Sequence, residues 1–284
     1  MQLPLNDHEL PLSGSAKVSY MSRILDVLEL VALSTDDQLT LTDISNRLEV
    51  PLSTTSRLLS QLEGWGFLLD KGNGRYLPGG RLARMSLAVT GQLHSSHRLL
   101  ESTKTLSAAT GESVTGGLIV GDTLLIVART ESEHPVRVVN RVGEVISPTR
   151  TALGKAVLSR VPHSLQVKLL KATGISDPDS ELKTLSAELA DARENDYAVD
   201  EETFAPGLRC RAAAILGVDG GAIGGISIGG PTARYTKETA LRTIPLLLRE
   251  TRELSANLAH TREEQRVSGR HGKKGESSHA RQTI

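Results

Sequence analysis

Residues 39–77, LTLTDISNRLEVPLSTTSRLLSQLEGWGFLLDKGNGRYL, constrain the fold most, because two short helical segments separated by a proline-blocked joint run directly into a glycine-punctuated hairpin. Thr42 is placed to cap a helix N-terminus, and Asp43 puts negative charge in the first turn, where the helix dipole favours it. Ile44 and Leu48 share one face of this helix. Val50 precedes Pro51 and is steered away from helical backbone, so the helix is predicted to stop near Leu48. Ser53 is the next capping residue, and Leu58, Leu59 and Leu62 follow at helical spacing, which predicts a second helix from about Ser53 to Glu63. Gly64-Trp65-Gly66 ends it. Phe67-Leu68-Leu69 then reads as a strand, Lys71-Gly72-Asn73-Gly74 as a turn suited to positive φ, and Arg75-Tyr76-Leu77 as the return strand. Helix, joint, helix and hairpin in that order outline a winged helix-turn-helix.

With Leu58, Leu59 and Leu62 inward, Ser53, Thr54, Arg57, Ser60 and Gln61 point away from the core. An ordinary amphipathic helix has such a face too, and the hairpin behind it is what favours a DNA reading. In a helix-turn-helix the second helix enters the major groove, where hydroxyls, glutamine and arginine bond to bases or phosphates. The DNA-contacting residues are therefore expected to be Ser53, Thr54, Thr55, Arg57 and Gln61, with Lys71 and Arg75 from the hairpin. Charge supports this only locally. The chain carries 33 basic and 33 acidic side chains, and residues 1–90 carry eight Lys or Arg against ten Asp or Glu. From Arg47 to Arg84 there are six basic residues against three acidic ones. An excess this small predicts modest salt dependence per copy and suits binding as a pair on two half-sites.

Val18, Met21, Ile24, Leu25, Leu28 and Val31 form one stripe, so Val18 to Leu33 is expected to be a helix supporting the winged core. Residues 1–16 lack the basic start and apolar run of a secretory signal and are expected to be disordered. No stretch approaches the roughly 20 apolar residues of a membrane helix, which predicts a cytoplasmic protein without a membrane partner. A single cysteine excludes an intramolecular disulfide. The length calls for a second domain. Residues 79–100 read as a linker passing into a helix. Beyond it, Ser113 to Val120 and Thr123 to Thr130 flank Gly121-Asp122 as a hairpin, and a strand is expected at Val136 to Asn140. Helices are expected at Ala152 to Ser159, Leu165 to Ala172 and Glu181 to Asn195, and a short strand at Tyr197 to Asp200. Arg209 to Leu216 and Ala222 to Ile228 form a hairpin around Asp219-Gly220-Gly221. A last helix runs from Lys237 to Glu264 with an irregularity at Pro245. The sum is an antiparallel sheet with helices packed on it, an α+β domain. Residues 17–78, 79–100, 101–262 and 263–284 are thus read as DNA-binding unit, linker helix, second domain and disordered basic tail.

With these segments in place, the chain resembles the IclR family of transcriptional regulators from about Lys17 to His260. Besides the opening stretch, SPTRTALGKAVLS (147–159), ENDYAVDEETFAPGLRCRAAAI (194–215) and GGISIGGP (224–231) carry the resemblance. It implies a GAF-like α/β effector-binding domain, and dimers or tetramers on operator DNA, with repression the favoured sign. It also implies a small-molecule effector, often a carboxylate or aromatic acid. The family's effector positions correspond here to Ala152, Leu153, Asp200, Cys210 and Ser227. The helix start at Thr151 to Gly154 agrees, since its N–H groups and positive dipole end suit an anion. Two positions depart from the family pattern. Gly229 stands where many members have a second serine, and Arg150 where histidine is frequent. Aromatic residues make up 2% of the chain, which points to a pocket of aliphatic and small side chains suited to a small organic acid.

Other signals carry less. Gly154-Lys155 evokes a phosphate loop, but Thr149 and Ala156 stand where that motif needs glycine and a hydroxyl residue. Cys210 has no histidine near it in sequence, and strand alternation puts Arg209 and Arg211 on the opposite face, so a pocket-lining thiol is expected rather than a nucleophile. His94 and His97 are too few for a metal site, and Asp200-Glu201-Glu202 reads as solvated charge apart from Asp200. Gly217 to Gly230 lacks dinucleotide-motif spacing. No cofactor, metal or catalytic residue is expected. The alternative of an enzyme using Cys210 or Asp200 lacks a nucleophile, base and orienter set.

Overall fold

The computed structural model describes residues 19–34, 39–72, 74–92 and 95–272. The expectations for residues 1–16, for Asn73 in the turn and for His94 lie outside them. Two compact units divide near residue 94.

In the first unit, α1 (Tyr20–Leu33) is capped by Ser19, whose side chain accepts from the Ser22 N–H. β1 (Leu39–Thr40) leads straight into α2 (Leu41–Arg47). Thr40, not Thr42, is the cap. Asp43 N–H donates to Thr40 Oγ1 at 3.2 Å and Thr40 N–H returns to Asp43 Oδ2 at 2.9 Å, a reciprocal capping box that starts the helix earlier than expected. After Leu48 the chain turns through Glu49 at φ 50°, and Ser45 Oγ donates to Val50 O at 2.6 Å to hold the joint. α3 (Leu52–Gly64) begins directly after Pro51 with no side-chain cap, so Ser53 sits inside the helix rather than at its cap. β2 (Leu68–Asp70) and β3 (Arg75–Pro78) form the hairpin, with Leu69 opposite Leu77, and β3 also pairs with β1. The core joins Ile24, Val27 and Val31 of α1 to Leu39, Ile44, Leu58, Leu59, Leu62 and Leu68. Met21 and Leu25, expected on the inner stripe of α1, are exposed. Val27 takes the inner place. α4 (Gly80–Gln92) follows the hairpin, with Met85, Leu87 and Val89 exposed.

The second unit opens with α5 (Ser95–Thr110). β4 (Ser113–Val120) and β5 (Thr123–Thr130) match the expected hairpin end for end, Val120 facing Thr123 across a turn with Gly121 at φ 62°. Residues 136–140 are not a strand. Ser113 Oγ and Arg129 Nη2 both donate to Val138 O, at 3.1 and 3.0 Å, so side chains take the carbonyl a ladder would need. This segment belongs to a loop spanning residues 131–145. α6 (Ala152–Leu158) and α7 (His163–Ala172) follow. The helix expected over 181–195 is two, α8 (Pro178–Thr184), capped by Asp177, and α9 (Ser186–Asn195). β6 (Ala198–Glu201), β7 (Leu208–Leu216) and β8 (Ala222–Pro231) complete an antiparallel sheet of order β5-β4-β8-β7-β6. α10 (Lys237–Gly272) runs through Pro245 and past Glu264, so residues 265–272, expected in the tail, are helical. α5 and α10 pack one face of the sheet through Leu99, Leu106 and Leu247, joined by Tyr235 from the β8–α10 connection; α6, α7 and α8 pack the other through Leu153, Val157, Leu169 and Leu182. The fold is α+β, as read.

Candidate functional site

On α3, Ser53, Arg57, Ser60 and Gln61 are exposed and Thr54 is half-buried. Thr55 is a correction: it is 1% exposed, and its hydroxyl is oriented to Val50 O (3.3 Å) and Pro51 O (3.2 Å). It shares the inner stripe with Leu59 and Leu62, at i, i+4 and i+7, and cannot face a groove. Tyr20 is a neighbour the sequence did not announce. Its hydroxyl donates to Gln61 Oε1, and the Arg57 guanidinium lies 5.7 Å from its ring centre. Both long polar side chains of the outer face are therefore steered from α1. In the hairpin, Lys71 and Arg75 are exposed, and Lys71 N–H donates to Arg75 O at 3.1 Å across the turn. Arg81 instead stacks on Phe67, 4.6 Å from its ring centre.

In the second unit, strand register gathers the other candidates on one face. Asp200 lies opposite Cys210, Cys210 opposite Gly229, and Gly229 opposite Ser113. The next same-face row runs Ala212, Ser227, Thr115, Arg129. α6 covers this face. Leu153 packs over Gly225 and Gly117, where a Cβ would sit 3.5 and 3.3 Å from it. Ala152 and Leu153 are both buried. Gly154 is needed for a different close approach: a Cβ there would stand 2.4 Å from Ser147 O. The residues 131–145 loop covers the far end, with Asn140 Nδ2 donating to Thr115 Oγ1 at 3.2 Å. At Gly229 a Cβ would come within 2.9 Å of Cys210 Sγ, so glycine leaves that thiol its room.

Asp200 is the least satisfied group of this face. It is 1% exposed, Oδ1 accepts from the N–H groups of Thr203 (2.8 Å) and Phe204 (3.2 Å), and Oδ2 has no partner among the described residues. Burial raises its carboxyl above the ordinary aspartate range, outweighing those two hydrogen bonds and the positive charge of Lys155. Burial, then the Asp200 charge, push the Cys210 thiol up, the reverse of what a nucleophilic cysteine needs. Lys155 is 2% exposed and donates to Glu188 at 2.5 Å, so it is a structural cation rather than a phosphate ligand. Arg209 and Arg211 lie on the opposite face from Cys210 and share Glu201, at 2.7 and 2.5 Å. Glu201, expected as solvated charge, is instead an ion-pair centre because β6 pairs with β7. Ser113, Thr115, Asn140, Arg129 and Gly229 also belong to the face, and Arg129 Nε likewise has no partner among the described residues. Alternation from Ser227 reaches Gly229, but nothing local links β4 to β8. No group of three His, Cys, Asp or Glu suited to a metal occurs among the described residues, and no helix is long and apolar enough to cross a membrane.

Comparison with known proteins accords with both halves. The sequence model of the IclR helix-turn-helix domain matches residues 21–70, and that of the bacterial transcriptional regulator IclR C-terminal domain matches residues 88–256. The HTH-type transcriptional regulator BhcR of Paracoccus denitrificans is 28% identical over 254 residues, covering 86% of this chain and 89% of BhcR. The HTH-type transcriptional repressor AllR of Escherichia coli K12 is 29% identical over 224 residues, covering 76% and 82%. Among solved structures, Thermotoga maritima IclR superposes with a TM-score of 0.64 at 24% identity, covering 84% of this chain and 98% of that one. An IclR homolog of Microbacterium hydrocarbonoxydans complexed with 4-hydroxybenzoate superposes with a TM-score of 0.69 at 18% identity, covering 84% and 99%. A helix-turn-helix unit with an outward polar helix, joined in one chain to a C-terminal α/β unit and matched by both family models, leads to one conclusion: the chain belongs to the IclR family of transcriptional regulators.

Proposed function

We propose that this protein is an effector-responsive repressor acting in the cytoplasm, which binds two operator half-sites as a dimer or tetramer. α3 enters the major groove with Ser53, Thr54, Arg57 and Gln61 toward the bases and phosphates, and Lys71 and Arg75 of the hairpin hold the flanking backbone. The small local charge excess favours paired binding, and exposed Met85, Leu87 and Val89 on α4 offer apolar surface for pairing. AllR, a relative of similar length, is named a repressor.

The effector is a small organic acid held between α6 and the sheet by Ala152, Leu153, Asp200, Cys210 and Ser227. The observation that carries this is the buried Asp200, whose oxygen without a partner among the described residues can accept a hydrogen bond from a hydroxyl of such a ligand. A structural neighbour bound to 4-hydroxybenzoate supports the class of ligand. An enzymatic reading with Cys210 as nucleophile fits poorly, since its thiol is pushed up and no base hydrogen-bonds to it among the described residues.

Gel shift at low salt with the promoter region beside the protein's own gene, with and without a panel of organic acids, tests the whole reading. Failure to shift that DNA under either condition overturns it. Asp200→Ala is expected to leave operator affinity without effector within about twofold of wild type and to weaken the effector response at least about tenfold, the effect of removing a hydrogen bond to a charged group. Titration of effector against a fluorescent operator measures both. An unchanged effector midpoint in this variant would remove Asp200 from the site.

A further inference from the structure

Residues 202–207 connect β6 to β7 beside Asp200. Glu202 (φ 62°) and Gly207 (φ 75°) turn the chain, Gly207 N–H donates to Glu202 Oε2 at 2.8 Å, and Leu208 N–H donates to Ala205 O at 3.1 Å. Arg150, next to the Thr151 cap of α6, reaches this loop. Its Nη2 donates to Phe204 O at 3.0 Å and approaches Thr203 O at 3.5 Å, and its guanidinium lies 5.7 Å from the Phe204 ring centre. Thr203 and Phe204 are the same residues whose N–H groups hold Asp200 Oδ1. The segment is gripped on its carbonyl side by Arg150 and on its amide side by Asp200.

We propose that Arg150 is a positioning residue for the effector site: by fixing the carbonyls of Thr203 and Phe204 it locks the loop that orients Asp200, so that Oδ1 stays engaged and Oδ2 is presented to the ligand. The latch ties α6 to the β6–β7 connection, two of the elements that enclose the site. One guanidinium nitrogen, Nη2, serves both carbonyls while the planar group lies against a ring, which a histidine at this position cannot reproduce with the same reach. This rests on the effector reading above, but its test needs no effector.

Cys210 is the only cysteine of the chain, half-buried and directly opposite Asp200 in strand register, so its rate of reaction with methyl methanethiosulfonate is the readout for loosening around Asp200. The full-length protein is labelled between about pH 6 and 10 and the modified fraction is followed by mass spectrometry, within the ordinary thiol and amine titration range. The charged groups bearing on the thiol are Asp200 and Glu201 from β6 and Arg211 from β7, with Lys155 of α6 acting on Asp200. Wild type is expected to react slowly across this range. Arg150→Ala accelerates labelling about tenfold, by loss of hydrogen bonds from a charged donor. It also brings the pH midpoint down toward the ordinary thiol value of about 8.5, while the melting temperature falls by only about 2–4 °C. Arg150→Lys, which keeps the charge but not the planar guanidinium over the Phe204 ring, recovers only part of the protection. Phe204→Ala, which removes the ring and leaves the arginine, gives a smaller acceleration and decides the matter if Arg150→Ala does not fold. Rates and pH profiles equal to wild type in the folded variants overturn the latch, and they leave the effector reading standing, because that reading falls on the Asp200→Ala titration instead.

Discussion

Arg57→Ala lowers operator affinity about 30-fold or more, at one lost side-chain contact of about 1–1.5 kcal/mol in each of two half-sites. Fluorescence anisotropy on a DNA fragment selected from a random library measures it, at several salt concentrations. If Arg57 contacts phosphate, the slope of log affinity against log salt falls by about two, one per half-site; if it reads a base, the slope changes less and the selected sequence relaxes at one position per half-site. The side chain is exposed on α3, with its guanidinium over the Tyr20 ring, so the melting temperature should move little. Wild-type affinity in the variant would show that α3 does not read DNA with this face.

Glu201→Ala destabilises the C-terminal unit by about 2–3 kcal/mol, lowering its melting temperature by about 5–10 °C. The cost comes from what remains. Arg209 and Arg211 are almost wholly buried and would lose their shared carboxylate, and Arg211 Nε has no partner among the described residues even with Glu201 present. Glu201 itself is 34% exposed, which places the effect in the lower part of the range for broken buried pairs. The sign with pH follows from its titration. Burial alone would raise the Glu201 carboxyl, but hydrogen bonds and charge from Arg209 and Arg211 outweigh it and hold the group below the ordinary glutamate range. A depressed value means stability that is present above the unfolded value of about 4.3 and lost as pH falls through the folded one. The gap between wild type and variant, followed by calorimetry, should therefore be widest near neutrality and close below about pH 4. A gap independent of pH would mean that packing, not charge, was removed.

How much of this was legible depends on the range of the interaction concerned. The β4–β5 hairpin could be read to the residue because two β-rich runs flank a two-residue turn with glycine at its first position, and every determinant lies within 18 residues. The segment around Val138 has the same β-branched character, yet its carbonyl is bound by Ser113 and Arg129, partners that no local pattern reveals. Thr55 differs for another reason: the helical phase of Leu59 and Leu62 places it inward, and its hydroxyl bonds to the preceding turn instead of to DNA. The capping box was visible too, one frame away, since Thr40 stands three residues before Asp43. Of the effector face, the five positions came from likeness to a family. Their meeting on one side of a sheet depends on β4 pairing with β8, across more than a hundred residues, and on β6 pairing with β7.

The unclaimed oxygen of Asp200 also bears on how long the protein lasts in a cell. A folded domain that keeps a buried carboxylate half unsatisfied gives up part of its own stability to do so. A ligand that bonds to that oxygen returns it by mass action, about 2.7 kcal/mol when present at a hundred times its dissociation constant. Proteases act on the unfolded fraction, so copies without ligand turn over faster than copies with it. On the effector reading proposed above, a metabolite at this site would set the abundance of its regulator as well as its occupancy, and the two would move together.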